Sequence, residues 1–347
     1  MASIVLEQLA IYGPDNCRQL DYPAAARYTA ELTRAHAENF TVVSRLLPRR
    51  LRADFTHVYA FCRWADDLGD ETGDRQRSLE LLAWWRRELD LCYAGTPRHP
   101  VFVALAQTIA RHDIPRKPFD DLIDAFVQDQ QVTRYETFDQ VLDYCTRSAD
   151  PVGRLVLYMC GHRDAERQRL SDATCTALQL ANFWQDVRRD ILHRDRVYLP
   201  ADVAHRHGLH VKMMVHAVRL DADPANADPA THCSSCAADR PGAGLRAMLP
   251  AYRGAIRELV DRTWPLFERG RGLWPLVEPD IRTDIKLFTL GGEAVLRRIE
   301  KMNYETLLRR PRIGKATKAA LLLRALAGRL WPGPAATTPP LTQGQTT

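Results

Sequence analysis

The sequence has no run of about 18 apolar residues, so no membrane-spanning helix is expected. It also lacks any segment of sustained apolar–polar alternation and any repeat at a fixed period, which excludes sheet-based and solenoid architectures. Its close glycine pairs, Gly270 with Gly272 and Gly291 with Gly292, complete neither a P-loop nor a dinucleotide fingerprint, so nothing announces NADPH. No nucleic-acid motif accompanies the net charge of +5. The first residues, Met1-Ala2-Ser3-Ile4-Val5, do not have the basic-then-apolar layout of a signal peptide. Cysteine is scattered, with 8 residues mostly at helical core positions, which suits a reducing cytoplasm rather than a disulfide framework. His232-Cys233-Ser234-Ser235-Cys236 has zinc-like spacing, but a structural zinc needs four ligands, and an exposed pair of thiols is the better reading.

A hydrophobic content of 46% is ample for a core, and its period is helical almost throughout. Leu79, Leu82, Trp85, Leu89 and Cys92 trace one helix face from Ser78 to Tyr93. Similar patterns run over Pro23 to Asn39, 100–112, 118–131, 137–148, Leu245 to Gly270 and Pro279 to Asn303. Ser171 and Asp172 are N-cap candidates for a further helix that runs through residue 190. The fold class is all-α. Residues 1–21 read as a loosely packed lead-in and 22–331 as one domain. Within that domain, 221–244, rich in Asp, Ala, Pro and Gly, reads as a flexible insertion. Lys315 to Trp331 forms a basic amphipathic helix suited to peripheral contact with anionic lipid, and 332–347 reads as a disordered tail.

Two helices carry acids where apolar residues belong. In Leu178 to Asp190, Asn182, Asp186 and Asp190 recur at i, i+4 and i+8, a polar stripe roughly 12 Å long continuing the line of Cys175, Leu178 and Gln179. In Arg49 to Gly69, the apolar side of Leu51, Phe55, Val58, Tyr59, Cys62 and Ala65 runs into Asp66 and Asp70, with Asp67 beside them. Like charges at i, i+4 repel, and unpartnered buried carboxylates are costly. Two readings account for them: solvated helix faces, or facing walls of a cavity whose carboxylates hold divalent cations and, through them, a polyphosphate. Tyr59, Tyr144 and Tyr198 are placed either beside such a cavity or between core and surface.

These stretches resemble the squalene/phytoene synthase family. Arg63-Trp64-Ala65-Asp66-Asp67-Leu68-Gly69-Asp70 is similar to its first aspartate-rich motif, and Asn182-Phe183-Trp184-Gln185-Asp186-Val187-Arg188-Arg189-Asp190 to its second. The resemblance spans about residues 22 to 325. Glu38 to Pro48, Ser148 to Leu155, Asn182 to Val187, Arg196 to Pro200 and Leu290 to Leu296 are similar to bacterial hydroxysqualene synthases of hopanoid pathways. It implies a single helical bundle around a central cavity, and conversion of presqualene diphosphate and water to hydroxysqualene and diphosphate. It implies Mg²⁺, with Mn²⁺ admissible, held by Asp66 and Asp70 on one wall and Asn182, Asp186 and Asp190 on the other. Asp66, Asp70, Asp186 and Asp190 would be catalytic. Arg63 and Arg309 would meet diphosphate oxygens, and Tyr59, Asp67, Tyr144, Gln179 and Asn182 would contact substrate. No NADPH is expected, and pathway enzymes are admissible partners.

Departures from condensing members stand at Asn39 (often Ser), Gln185 (often Arg) and Gly292 (where Tyr aligns), and Asp150 stands where the hydroxysqualene branch is expected to have Asn. Condensation of prenyl diphosphates to squalene, presqualene diphosphate or phytoene remains an alternative activity. A catalytically silent assembly factor is a third, opposed by the intact acids of both motifs.

Overall fold

The computed structural model describes residues 4–35, 48–223 and 243–314, with Thr317, Ala320 and Leu321 as isolated positions. Asn39, most of the 221–244 insertion with Cys233 and Cys236, the basic Lys315 to Trp331 stretch and the 332–347 tail lie outside the described residues, apart from those isolated positions.

The chain is helical, with only an isolated bridge between Arg134 and Val197 among the described residues. The helices are α1 (Ile4–Tyr12), α2 (Tyr22–Ala35), α3 (Arg52–Asp70), α4 (Arg75–Tyr93), α5 (Pro100–His112), α6 (Lys117–Asp129) and α7 (Phe138–Ser148). They continue as α8 (Asp150–Met159), α9 (Ala165–Arg194), α10 (Ala201–Arg206), α11 (Val211–Ala222), α12 (Ala243–Gly270) and α13 (Pro279–Lys301). No helix among the described residues is long and apolar enough to cross a membrane.

Local chemistry sets the boundaries. Asp74 caps α4 by accepting from the backbone N–H groups of Gln76 (2.8 Å) and Arg77 (3.1 Å). Thr137 and Gln140 close a capping box at the start of α7. The helix carrying the second acidic stripe begins earlier than its sequence suggests. Asp164 caps α9 by accepting from the Arg167 N–H at 3.0 Å, and Ser171 and Asp172 lie inside it. Asp172 is instead paired with Arg154 at 2.7 Å. The N-terminal segment is also less loose than expected. Val5 of α1 is buried and Tyr28 donates to Gln8, because a nine-residue helix too short to show clear periodicity still buries one apolar side.

Two apolar cores flank the middle of the bundle. One centres on Phe61, Trp64 and Trp85, with the indoles of Trp64 and Trp85 stacked at 5.3 Å. The other centres on Trp184, Tyr252 and Phe267, and the Trp184 indole donates to Thr263 at 3.0 Å. Trp64 belongs to α3 and Trp184 to α9. Each helix therefore anchors one core through large aromatics and turns its other side toward the space between them.

Candidate active site

Two adjoining cavities occupy that space. The first, about 280 Å³, is lined almost wholly by carbon: Phe55, Val58 and Tyr59 from α3, Val156 and Met159 from α8, Leu178 from α9, Ile285 and Phe288 from α13. Cys62, Cys160 and Cys175 also line it, and burial pushes each thiol up to about 12, so all three stay neutral and weakly nucleophilic. Gly153 lets α8 approach α9 closely. A Cβ there would lie 2.3 Å from Ser171 Oγ and 2.6 Å from Cys175 Sγ.

The second cavity, about 420 Å³, begins where the acids begin. Asp66 and Asp70 face it from α3, and Gln179, Asn182, Asp186 and Asp190 from α9. Tyr144, Ser148, Phe126 and Phe183 complete much of its wall. The apolar and acidic cavities thus succeed one another along the same sides of the same two helices.

Arginines already meet several of these acids. Arg63 reaches Asp66 at 3.4 Å and also grips Asp67. Arg194 and Arg196 hold Asp70 at 2.9 and 2.8 Å, and Arg310 pairs with Asp186. Asp129, at the end of α6, accepts from the Tyr144 hydroxyl at 2.8 Å and the Tyr198 hydroxyl at 3.4 Å, with Arg196 at 3.4 Å. Burial, reinforced by neighbouring acids, raises three of the carboxyls. Asp66 is pushed up to about 6, helped by Asp70, and Asp190 to about 7, helped by Asp186. Burial lifts Asp129 to about 7 against the pull of Arg196.

Among the expected contacts, Asp67, Arg63 and Arg309 line neither cavity; Arg63 is instead held by Asp66 and Asp67. Asp67 is fully buried and turned to Arg63, so it does not line the cavity; at i+1 from Asp66 it points about 100° around the helix. Tyr59 lines the apolar cavity, two turns before Asp66, and so keeps a place beside the hydrocarbon end and away from the acids. Arg309 does not line the cavity, whereas Arg310, although 45% of its side chain is exposed, lines its edge and pairs with Asp186 from the non-helical 306–314 segment. Arg194, Arg196, Asp129 and Arg310 were missed. Arg194 had a visible signal, since it extends the 182–186–190 series by one more step of four.

The donor set suits a hard divalent cation, because every candidate ligand is an oxygen, and burial followed by neighbouring like charge raises two of the carboxyls. No group of three His, Cys, Asp or Glu among the described residues converges as a ready-made metal cage.

The model of the squalene/phytoene synthase family matches residues 33–317. A phytoene synthase of Thermus thermophilus is 31% identical over 306 residues, covering 87% of this chain and 92% of that protein. A hydroxysqualene synthase of Rhodopseudomonas palustris is 38% identical over 257 residues, 74% of each chain. Among solved structures, a squalene synthase, HpnC, of Alicyclobacillus acidocaldarius shares 40% identity with a TM-score of 0.68, covering 81% of this chain and 95% of that one.

Proposed function

Because the chain belongs to the squalene/phytoene synthase family, we propose that it ionises presqualene diphosphate and lets water capture the cation, giving hydroxysqualene and diphosphate. The observation carrying this reading is the end-to-end succession of a carbon-lined and an acid-lined cavity along α3 and α9. An isoprenoid chain fits the first and a diphosphate head the second.

Asp66, Asp70, Asn182, Asp186 and Asp190 would hold Mg²⁺. When bound, the ion would supply Lewis acidity to the departing diphosphate. Arg194, Arg196 and Arg310, which line the acidic cavity, would donate guanidinium N–H groups to diphosphate oxygens, with Arg63 reaching the site only through its pairing with Asp66. The carbon-lined wall and its neutral thiols exclude water and nucleophiles from the hydrocarbon, so the cation survives until one water reaches it. Tyr144, Tyr198 and Ser148 carry hydroxyls on the polar wall; in this reading one of them orients that water, and Asp129, which accepts from Tyr144, takes the proton it sheds.

Condensation of two prenyl diphosphates is the second reading, favoured by the nearly full-length similarity to a phytoene synthase. Separate incubation with presqualene diphosphate and farnesyl diphosphate, with Mg²⁺ and no NADPH, decides between them. Our reading expects a C30 allylic alcohol from the first substrate, bearing one heavy oxygen in ¹⁸O-labelled water and unchanged by added NADPH. Squalene formed only with NADPH would assign the reductive chemistry. Consumption of farnesyl diphosphate alone would assign the condensation.

A further inference from the structure

The carbon-lined and acidic cavities adjoin along a seam that three elements cross. On α3 the wall changes between Cys62 and Asp66, and on α9 between Leu178 and Gln179. Where α7 gives way to α8, Ser148 lines the acidic cavity, and Val152 and Gly153 line the carbon-lined one. A prenyl diphosphate with its head on the acids and its chain on carbon has its breaking C–O bond at this seam.

Ser148 is the last residue of α7, one turn beyond Tyr144 and on the same side. A serine near a helix end commonly bonds back to the carbonyl four residues earlier. The Ser148 Oγ does not: it is buried, and no group among the described residues bonds it. The two phenols of the polar wall differ in this respect. Tyr144 and Tyr198 both donate to Asp129, at 2.8 and 3.4 Å, so their protons are already taken up. A buried hydroxyl left unbonded is costly, and a partner for Ser148 can come from the cavity it lines, reached by rotation about the Cα–Cβ bond. Solvent meets that cavity at its diphosphate end, where Asn182, Asp66 and Arg310 are exposed. What the chemistry needs at the seam is one water with its lone pair turned to the cationic carbon.

We propose that Ser148 binds and aims the water that captures the cation. The proposal rests on the reading that water, and not hydride, ends the reaction. The bond to diphosphate breaks with its electron pair leaving on the diphosphate. Ser148 Oγ accepts one O–H of the water, which presents the water's lone pair to the carbon, and the new C–O bond forms from that pair. The oxonium then loses its proton to Asp129, while Ser148 keeps its own. Held from one side, the water attacks one face of the cation, so the carbinol carbon of the C30 alcohol forms as one enantiomer. Without the hydroxyl, water arrives late or from either face, and the cation instead loses a proton to the departed diphosphate and becomes a C30 polyene.

The full chain is incubated with presqualene diphosphate and Mg²⁺, without NADPH. Diphosphate release, the share of alcohol among C30 products and the enantiomeric purity of that alcohol are then measured. Ser148→Ala and Ser148→Val should release diphosphate within about threefold of wild type, because the lost bond is made only after ionisation. Their alcohol share should fall roughly 3- to 10-fold, the loss expected of one neutral hydrogen bond, with polyene in its place. The remaining alcohol should be a mixture of enantiomers, while Ser148→Thr keeps the wild-type product. Thermal melts verify folding, and Ser148→Ala should melt no lower than wild type, since the hydroxyl bonds no described protein group. Unchanged alcohol share and enantiomeric purity in both folded variants overturn the proposal. So does a parallel fall of diphosphate release and alcohol with purity intact, which would make Ser148 a residue that only shapes the wall. A wild-type chain that releases diphosphate but forms no alcohol removes the capture by water itself, and the role of Ser148 with it.

Discussion

Arg310 closes on Asp186 with both Nε and Nη2, the latter at 2.9 Å, and so caps the carboxylate one helical turn before Asp190. The partner of this acid thus comes from a segment 124 residues away in sequence and not from its own helix.

That pairing separates two adjacent arginines. Arg310→Ala removes a guanidinium from the acidic cavity and should lower kcat/KM by roughly 10- to 100-fold, the range expected for lost charge-assisted hydrogen bonds. Arg309→Ala removes an exposed side chain and should stay within about twofold of wild type. Diphosphate release from a prenyl diphosphate measures both. Reversed effects would return the role to Arg309.

The acids themselves should matter far more to turnover than to folding. Asp66→Asn or Asp186→Asn should lose on the order of 10²–10³-fold in kcat, since each takes a charge from the leaving-group end of the site. Burial and Asp70 already raise Asp66, so neutralising it should leave the melting temperature at pH 8 unchanged or higher. A variant with near-native turnover at saturating Mg²⁺ would sink the assignment. One that melts well below wild type would recast the acid as structural.

Much of this site is legible in the sequence because it lies on two regular helices. Asp66 with Asp70, and Asn182 with Asp186 and Asp190, share a side at steps of four whatever surrounds them, so spacing alone places each set. The same rule would have warned against Asp67 and added Arg194. What spacing cannot supply is contact between elements. Asp129 ends α6 without any periodic signal, and Arg310 lies in a non-helical segment where one residue decides which side chain reaches the cavity edge. Tyr59 shows the intermediate case. Its helix face is readable, but the boundary between the two cavities depends on which helices cross α3 at that level.

Asp150 offers a pH-dependent check. It is buried at the start of α8, accepts from the Thr176 hydroxyl at 2.8 Å, and is pushed up to about 7 by burial and then by Asp172. An acid raised from 3.8 to about 7 on folding binds its proton more tightly in the native state, so its contribution to stability declines as pH rises between those values. Asp150→Asn keeps an oxygen for Thr176 and removes the ionisation. The variant should therefore be more stable than wild type at pH 8, by on the order of 1–2 kcal/mol, and the advantage should vanish near pH 4. Urea unfolding across that range measures it. An advantage independent of pH would assign the effect to packing.

Neighbouring glycines of α13 should respond to alanine with opposite signs. The small residues at 291 and 292 suggest room beside the hydrocarbon, but only one of them faces space. At Gly291 an added Cβ meets nothing within 4 Å. At Gly292 it would lie 2.4 Å from Phe267 Cζ and 2.6 Å from Leu178 Cδ2. Phe267 is fully buried, so the volume freed by Gly292 is already filled by that ring and is not open to water. Alanine in a helix interior normally gains about 1 kcal/mol over glycine, and Gly291→Ala should show that gain as a raised melting temperature. Gly292→Ala must push Phe267 or Leu178, and overpacking of roughly 1–3 kcal/mol should outweigh the propensity gain and lower the melting temperature. Because Leu178 lines the carbon-lined cavity, Gly292→Ala should also raise KM for the isoprenoid substrate, while Gly291→Ala leaves it unchanged. Combining Gly292→Ala with Phe267→Leu should cost less than the two changes summed, since the smaller side chain yields the contested space. Additive costs in that double variant would show that Phe267 and Gly292 do not compete for one volume.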